Sequence, residues 1–414
     1  MGYKDDIYRD GDDRPRFASG DQDYDSAMGF DPRKSPAELI AEAKKKDPRA
    51  WAKVPELLTI LPAGDWLELG ENYDPSGHLF GPFWRRGEVT ILFGGTGTGK
   101  SALAAQIGES IARGVPLAPF NGPDAVAVEP QRVIFVDFEL RANQFAMRYA
   151  RVGEDGVRQG PFYEFSRDLI RTELCWNGQV TEGYSGFSDM LFTSLVNAIS
   201  DLDARGVIID NITFLDRAST SNSNTALFIM RALQQLKRDE DVSVLVLAHT
   251  PKRGHRAPVT ELDLQGSINL ANFADSIFAV ARSRVSPELR YLKQVKARSG
   301  TLEFDATRVP VFALEKYDMH SVMRLGPLGV RGDEMNNFLG FRFVEFAAEE
   351  QHLEEGGTAT ESLSMMRRRA DMRLVRKLHA EGKSTREISL ETSISKSKVQ
   401  RFLCVLKGED MAKY

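Results

Sequence analysis

The sequence predicts an α/β protein with a mostly parallel sheet, followed by a small all-helical domain. Near-continuous apolar runs alternate with amphipathic stretches between residues 88 and 300, as in a sheet covered by helices on both faces. A glycine-rich turn joins the first apolar run to the first amphipathic stretch. After an acidic linker, a compact basic segment at 366–408 shows helical spacing only.

Length and composition indicate one large globular domain with a smaller companion. The chain has 414 residues, of which 42% are hydrophobic and 27% are charged. No apolar run is long enough to span a membrane, and the acidic N-terminus lacks the apolar core of a signal peptide. Its two cysteines, Cys175 and Cys404, suit a reducing compartment. We therefore expect a cytoplasmic protein without a membrane partner.

The two ends of the chain carry opposite charge. Residues 1–31 hold nine Asp against four Lys or Arg, whereas residues 367–407 hold twelve Lys or Arg against four Asp or Glu. Such asymmetry suggests different surroundings for the two ends, although a basic stretch can also be a solvated helix face. The predicted divisions are a disordered acidic segment at 1–35, a helical or irregular lead-in at 36–87, the α/β domain at 88–346, a linker at 347–365 and the helical domain at 366–408.

The apolar runs give the predicted strands in chain order. They lie at 88–94, 132–139, 205–212, 242–249 and 275–282. Residues 100–114 and 224–239 have the spacing of amphipathic helices. The looser alternation at 289–346 predicts antiparallel strands at one edge of the sheet, while 155–186 shows no pattern that we can assign.

The glycine-rich turn matches the phosphate-binding loop pattern, with glycines at its first and sixth positions followed by Lys and Ser. A loop around phosphates needs inward backbone N–H groups and a close approach that side chains obstruct. Lys100 would reach the β- and γ-phosphates, and Ser101 would hold Mg²⁺. The alternative is a glycine-rich turn without a ligand, but an apolar strand before it and a helix after it favour a nucleotide site. Its residues are Gly94, Gly95, Thr96, Gly97, Thr98, Gly99, Lys100 and Ser101.

Polar side chains at the ends of other predicted strands suit the same chemistry. Asp210 ends the run VIID, where a carboxylate can bind Mg²⁺ or its water, or can simply belong to a turn. Glu139 ends RVIFVDFE and could orient the attacking water. Asp137 competes for this role, but alternation places it two residues inside the strand. His249 ends VSVLVLAH and could sense a γ-phosphate, although a lone histidine more often satisfies a local hydrogen bond.

Lys296 and Arg298 alternate along the predicted strand segment LKQVKARSG. Alternating cations usually form a solvated face. They could also reach into another subunit's site as charge-stabilising fingers.

Taken together, roughly residues 60–320 resemble the RecA-fold P-loop ATPases of the plasmid RepA-helicase type, relatives of DnaB-type replicative helicases. The matching features are GGTGTGKS at 94–101, the strand ending in Glu139, VIIDN at 207–211, VLAHTPKR at 246–253 and VKARSG at 295–300. The resemblance implies a RecA-like core that uses ATP and Mg²⁺, and hexameric rings with sites between subunits.

The same resemblance assigns roles to single residues. It implies that Glu139 is the catalytic base, that Asp210 holds the metal and that His249 couples the γ-phosphate to DNA-binding loops. It implies a finger role for Arg298 toward the neighbouring subunit. Arg148, nine residues past Glu139, matches the spacing of an arginine that the family carries on the next helix.

In RecA-type folds, the segments after the metal-binding and sensor strands face the ring pore. Here they are residues 216–226 and 251–267, and the second contains Lys252, Arg253 and Arg256. Cations on such a loop suit a nucleic-acid backbone that must be gripped and released. The alternative is a loop that only keeps the protein soluble.

The basic C-terminal segment predicts three short helices. The first helix carries Leu374 and Leu378 and stops at Gly382, Ser384 and Glu387 form a capping box that opens the second, and Ser395 caps the third. The spacing resembles the helix-turn-helix of resolvase and invertase C-terminal domains. That resemblance places Lys396, Ser397, Lys398, Gln400 and Arg401 against duplex DNA. A small protein-docking module is the alternative.

These features lead to an oligomeric, Mg²⁺-dependent ATPase that binds DNA. The resemblance implies a helicase or replication initiator of a plasmid, phage or other mobile element, with single-stranded DNA in a hexameric pore and duplex on the helix-turn-helix. A DNA-bound regulator that ATP switches without unwinding is the alternative. A small-molecule kinase would have no use for the finger residues and the basic loop.

Overall fold

The computed structural model describes residues 77–122, 126–153, 157–212, 225–239, 241–250, 257–264, 268–323, 336–353, 363–392 and 396–407, together with residues 45, 63, 64, 67 and 394. The chain divides into two compact units, Met1–Asp74 and Pro75–Tyr414, and the description below concerns the second. The predictions for the acidic segment at 1–35 and for Lys252, Arg253 and Arg256 fall outside the described residues.

Most of the described strands belong to one nine-stranded sheet with the order β13-β12-β11-β10-β3-β9-β8-β4-β7. The strands are β1 (His78–Phe80), β2 (Trp84–Arg85), β3 (Val89–Gly94), β4 (Val133–Asp137), β5 (Ala150–Val152), β6 (Arg158–Phe162), β7 (Leu169–Glu173), β8 (Gly206–Asp210), β9 (Ser243–His249), β10 (Ser276–Arg282), β11 (Leu289–Ala297), β12 (Val309–Tyr317) and β13 (Phe338–Ala347).

The helices are α1 (Lys100–Arg113), α2 (Ala142–Arg148), α3 (Phe187–Leu202), α4 (Thr225–Asp239), α5 (Ile268–Phe273), α6 (Met319–Val322), α7 (Leu363–Ala380), α8 (Thr385–Thr392) and α9 (Lys396–Lys407). Two short 3₁₀ helices lie at Glu261–Asp263 and Glu349–His352. Within the described residues, none of the helices combines the length and the apolar character needed to cross a membrane.

The sheet confirms the predicted fold class. Six neighbouring strands, from β10 to β7, pair in parallel, and β11, β12 and β13 extend the sheet with antiparallel pairs at one edge. The unassigned segment 155–186 supplies β7, the opposite edge strand. One predicted boundary was wrong, because β4 ends at Asp137 and Glu139 lies two residues beyond it.

Both faces of the sheet are buried, as the unbroken apolar runs predicted. In β3, Ile91 and Phe93 belong to one hydrophobic core and Leu92 belongs to the other, on the opposite face. Phe83 and Trp84 are fully buried in the same core as Leu92. The core of the α/β domain therefore includes residues before position 88, where the sequence analysis had placed its start.

The order of the parallel strands brings the predicted site residues to one edge. Gly94 at the end of β3 is paired with His249 at the end of β9, and Asp137 at the end of β4 is paired with Asp210 at the end of β8. Because parallel strands share the direction of their carboxyl ends, all four residues lie at the edge where ligands bind in such sheets.

Helices α7, α8 and α9 form a small unit with its own core. The buried residues are Val375, Leu378, Ile388, Ile394, Val399, Phe402 and Leu403. The predicted capping box is present, because the Ser384 N–H donates to Glu387 at 2.8 Å and the Glu387 N–H donates to the Ser384 hydroxyl at 3.3 Å. Leu378 lies in this core, whereas Leu374 is 42% exposed and the neighbouring Val375 is buried.

Candidate nucleotide-binding site

The glycine-rich loop connects β3 directly to α1. A side chain on Gly94 would collide with the Val280 carbonyl oxygen of neighbouring β10. Gly99 precedes α1 with a φ of +97°, a conformation that favours glycine. The first turn of α1 contains no acidic residue, so its N–H groups and positive dipole end are available to an anion. Gly95 differs, because a Cβ there would meet only ordinary contacts at 3.7 Å.

Lys100 lies folded against this loop. Its Nζ donates to the carbonyl oxygens of Gly94 at 2.9 Å and Gly95 at 3.2 Å, and the residue is only 6% exposed. Burial lowers the pKa of Lys100, while the charges of Asp210 and Glu139 oppose this shift. The lysine therefore lies between the loop that would bind phosphate and the two carboxylates of the site.

Ser101 and Asp210 provide a fitting pair of oxygen ligands for Mg²⁺. Asp210 is almost fully buried and is hydrogen-bonded to the Ser101 hydroxyl. Its Oδ2 atom is buried without a hydrogen-bond partner among the described residues. Burial is the largest cause that raises the pKa of Asp210, to about 6. A divalent cation would satisfy the unpaired oxygen and favour the ionised carboxylate.

The structure separates the two competing acidic residues, Asp137 and Glu139. Asp137 Oδ1 accepts the backbone N–H groups of Glu139 at 3.0 Å and Leu140 at 2.9 Å, and Oδ2 pairs with Arg171 Nε at 3.0 Å. Both oxygens of Asp137 therefore hold the turn after β4. Glu139 has a partly exposed side chain, and its hydrogen bond with His249 is the largest cause that lowers its pKa. Glu139 is thus the carboxylate that can meet a water molecule.

His249 connects Lys100 with Glu139. Its Nδ1 lies 3.3 Å from Lys100 Nζ, and its Nε2 lies 3.4 Å from Glu139 Oε1. Since the lysine can only donate, Nδ1 accepts from Lys100, and the other ring nitrogen, Nε2, faces the Glu139 carboxylate. The histidine therefore contacts both the phosphate-binding lysine and the candidate base.

Asn211 is a site residue that the sequence analysis missed. Its Nδ2 donates to Glu139 Oε1 and lies 3.0 Å from His249 Nε2. The signal was an amide directly after Asp210 at the end of an apolar strand. Asn211 fixes the Glu139 carboxylate at the edge of the sheet.

Comparison with known proteins agrees with this geometry. Residues 65–255, just under half of the chain, match the family model for the AAA domain. The matched residues include the glycine-rich loop, Glu139, Asp210 and His249, which supports a P-loop ATPase domain.

The chain is also similar to solved structures. A solved KaiC-like protein from the hyperthermophilic archaeon Pyrococcus horikoshii OT3 is similar, with 15% identity and a TM-score of 0.38 over 56% of this chain and 87% of that chain. A likeness of this size says nothing about activity. No curated protein matches the chain.

Arg148 ends α2 near the ATPase site, and its charge contributes to the lowered pKa of Glu139. Lys296 and Arg298 lie elsewhere. Lys296 Nζ donates to the Ala271 carbonyl at 2.6 Å, and Arg298 pairs with Asp275 at 3.2 Å. Ala297 pairs with Ser276, which pairs with Thr90 near the start of β3, so these cations lie at the edge opposite the phosphate loop. A role in hydrolysis would therefore require the site of another subunit, and it stays a prediction.

The predicted DNA-contacting residues of α9 are not equivalent in the structure. Lys396, Gln400 and Arg401 are exposed. Lys398 is partly buried, and its Nζ pairs with Asp371 of α7 at 2.7 Å. Lys398 thus ties two helices of the unit together, in contrast to the purely DNA-facing position expected from the sequence.

Proposed function

We propose that this chain is a Mg²⁺-dependent ATPase that binds DNA, works as a head-to-tail oligomer and serves as a helicase or replication initiator. The observation that carries the proposal is the position of His249 between Lys100 and Glu139. β9 ends at this histidine, and the basic residues Lys252, Arg253 and Arg256 follow within seven positions. A change at the phosphate site can therefore pass directly to a basic segment.

Each residue of the site has a place in hydrolysis. The N–H groups at the start of α1 and Lys100 stabilise negative charge on the phosphates. Mg²⁺, held by Ser101 and Asp210, would neutralise charge on the β- and γ-phosphate oxygens. Glu139, held by Asn211, orients the attacking water and accepts its proton.

His249 provides the step from hydrolysis to DNA. Lys100 donates to the loop carbonyls and contacts His249 in this structure. A γ-phosphate competes for the Lys100 ammonium, so binding and loss of that phosphate change the hydrogen bonds available to the imidazole. A shift of the imidazole displaces the end of β9 and the basic segment after it, which is the kind of local change that releases or grips a phosphate backbone.

The positions of Lys296 and Arg298 support a ring. A cation on the edge opposite its own phosphate loop can complete a site only when subunits meet head to tail. Heterologous interfaces of this kind close into rings when the rotation allows it. The resemblance to the RepA-type helicases implies that this ring is a hexamer, with single-stranded DNA in its pore.

Exposed cations on α9 support duplex binding by the C-terminal unit. Lys396 and Arg401 lie on a helix that packs on two others through a separate core. Such a unit presents one helix to the major groove or to the backbone phosphates. Deleting residues 360–414 should remove duplex binding and leave basal ATP hydrolysis unchanged. Duplex affinity that survives the deletion would rule out this part of the proposal.

The deciding experiment measures ATP hydrolysis without DNA, with single-stranded DNA and with duplex, for the wild type and Lys100→Ala. Stimulation by single strands that the variant abolishes supports a translocating motor, and a strand-displacement assay then tests unwinding. Hydrolysis that is indifferent to single strands overturns the motor and favours the alternative, a DNA-bound regulator whose assembly ATP controls. Charge reversal of Lys252, Arg253 and Arg256 to Glu should abolish the stimulation; unchanged stimulation would refute the loop assignment.

A further inference from the structure

Two arginines from the β10–β11 hairpin hold the outer side of the phosphate loop. Arg282 Nη2 donates to the carbonyl oxygens of Thr96 at 3.3 Å and Gly97 at 3.0 Å. Arg290 Nε donates to the carbonyl oxygen of Thr98 at 3.1 Å. Three consecutive carbonyl groups of the loop thus accept hydrogen bonds from one hairpin. The packing is close, because a Cβ on Gly97 would lie 2.7 Å from Arg282 Nη2.

The hydrogen bonds from the two arginines to the loop carbonyls also set the direction of the loop N–H groups. In a planar trans peptide, the carbonyl of one residue and the N–H of the next point in opposite directions. Fixing the carbonyls of residues 96, 97 and 98 on the hairpin side therefore directs the N–H groups of the following residues to the other side. The Thr98 N–H closes the turn on Gly95 at 3.3 Å. Those of Gly97 and Gly99 have no acceptor among the described residues, and a phosphate needs such donors.

The charges of the two arginines have no carboxylate partner among the described residues. Arg290 is 6% exposed, and its other hydrogen bonds go to the backbone carbonyls of Pro287 and Leu289. Burial and the charge of Arg282 lower the pKa of Arg290 to about 10, and the charge of Glu288 opposes this shift, so the group stays charged at neutral pH. Arg290 is thus a buried cation that feels the charge of Glu288 but forms no direct ion pair among the described residues, which is costly for folding, and a bound polyphosphate would offset part of that cost. This favours a role toward the nucleotide over a purely structural one.

We infer that Arg282 and Arg290 are positioning residues for the nucleotide: they hold the phosphate loop open from its outer side and add positive potential behind the phosphates. The inference rests on nucleotide binding by the P-loop ATPase domain and is independent of the proposed DNA function. It predicts that loss of Arg282, the exposed member of the pair, lowers the affinity for nucleotides that have a β-phosphate, because the loop binds that group.

The test uses the full chain with Mg²⁺ and without DNA. Calorimetric titration with ADP and with AMP is performed for the wild type, Arg282→Gln and Arg282→Lys. Arg282→Gln should raise the Kd for ADP about five- to tenfold, since it removes charge-assisted hydrogen bonds at a partly solvated site. AMP binding should change less than about twofold, because the contact concerns the β-phosphate loop. Arg282→Lys keeps a cation with several donors and should restore the ADP Kd to within about twofold.

Arg158→Gln is the matched control, because it removes an exposed cation of β6 that has no contact with the phosphate loop among the described residues. An unchanged ADP affinity in Arg282→Gln overturns the inference. So does an equal loss in the control, or a loss that accompanies a lowered unfolding midpoint and that lysine does not rescue. Failure of the wild type to bind ADP at all would instead refute nucleotide binding itself, so the two failures are distinguishable.

Discussion

His249 Nδ1 lies 3.3 Å from Lys100 Nζ, so the phosphate-binding lysine touches the last residue of the strand that leads into the basic segment. We expect His249→Ala to uncouple hydrolysis from DNA. The variant should bind ATP within about threefold of the wild type but lose most DNA stimulation, about tenfold or more, the usual size of a coupling between sites. Steady-state hydrolysis with and without single-stranded DNA measures this.

Asn211→Ala is the control for His249→Ala. It releases Glu139 but leaves the contact between His249 and Lys100. Its basal rate should fall while the ratio of stimulated to basal rate persists. If His249→Ala keeps the wild-type ratio, the histidine is not the link to DNA.

Glu139 and Asp137 should differ in what their replacement damages. Glu139→Gln should lower kcat about 10²- to 10⁴-fold, as expected for a base, with little effect on stability or ATP affinity. Asp137→Asn should lower stability by about 2–4 kcal/mol, since it places an amide against the mostly buried Arg171 guanidinium. Urea unfolding and single-turnover hydrolysis distinguish them. Equal losses of kcat at unchanged stability would assign a catalytic role to Asp137 as well.

The burial of Asp210 predicts a pH-dependent cost to stability in the absence of Mg²⁺ and nucleotide. Its pKa of about 6 in the folded protein exceeds the ordinary value of 3.8, so the folded state binds the proton more tightly than the unfolded state. The stabilising effect of this proton is complete below about pH 4 and is lost as the pH rises through about 6.

Asp210→Asn keeps the shape of the side chain but removes the charge. At pH 8 the variant should be more stable than the wild type by about 1–3 kcal/mol, and near pH 4 the difference should vanish. Urea unfolding at both pH values measures the difference. A gain that is equal at the two pH values would show that ionisation of Asp210 is not its cause.

The cations of α9 should divide into DNA contacts and a structural tie. Replacing Lys396 and Arg401 together by Ala should weaken duplex binding. The slope of the logarithm of the binding constant against the logarithm of the salt concentration should become shallower by about 1–2, about one for each lost phosphate contact. Reversing the charge of Arg376, an exposed residue of α7, serves as a control. An unchanged salt dependence in the double variant would favour the protein-docking alternative.

Lys398→Ala should act mainly on the packing of α7 against α9. The pair with Asp371 is partly solvated, so its loss should cost about 0.5–1 kcal/mol. Amide hydrogen exchange in α9 should accelerate about two- to fivefold, with a smaller change in duplex affinity than the Lys396 and Arg401 variant shows. A large loss of duplex affinity with unchanged amide hydrogen exchange in α9 would instead indicate that Lys398 contacts DNA.

Local patterns predicted the strands and the phosphate loop well. β3, β9 and β10 lie within one residue of the apolar runs at both ends, and β8 starts within one residue of its run and ends two residues before the run does. Burial of both faces leaves a continuous hydrophobic signal. The end of β4 was misplaced because Phe138 prolongs the apolar run beyond the last paired residue, Asp137. Because the predicted strand ran past Asp137, the pattern did not show that Asp137 holds the turn after β4. Its second oxygen pairs with Arg171 of β7, a strand without a recognisable pattern.

The sequence by itself determined the α/β class and the glycine-rich loop between a strand and a helix, since both depend on residue types at fixed short spacings, and it predicted Ser101 and Asp210 as metal ligands. Only the tertiary structure distinguished Glu139, which can meet a water molecule, from Asp137, which holds a turn. It alone showed that Lys398 pairs with Asp371 and that Arg282 and Arg290 contact the phosphate loop. Arg282 and Gly97 are 185 positions apart, and only the pairing of β10 with β3 brings them together. Contacts of this kind depend on strand order and register, which short-range periodicity does not encode.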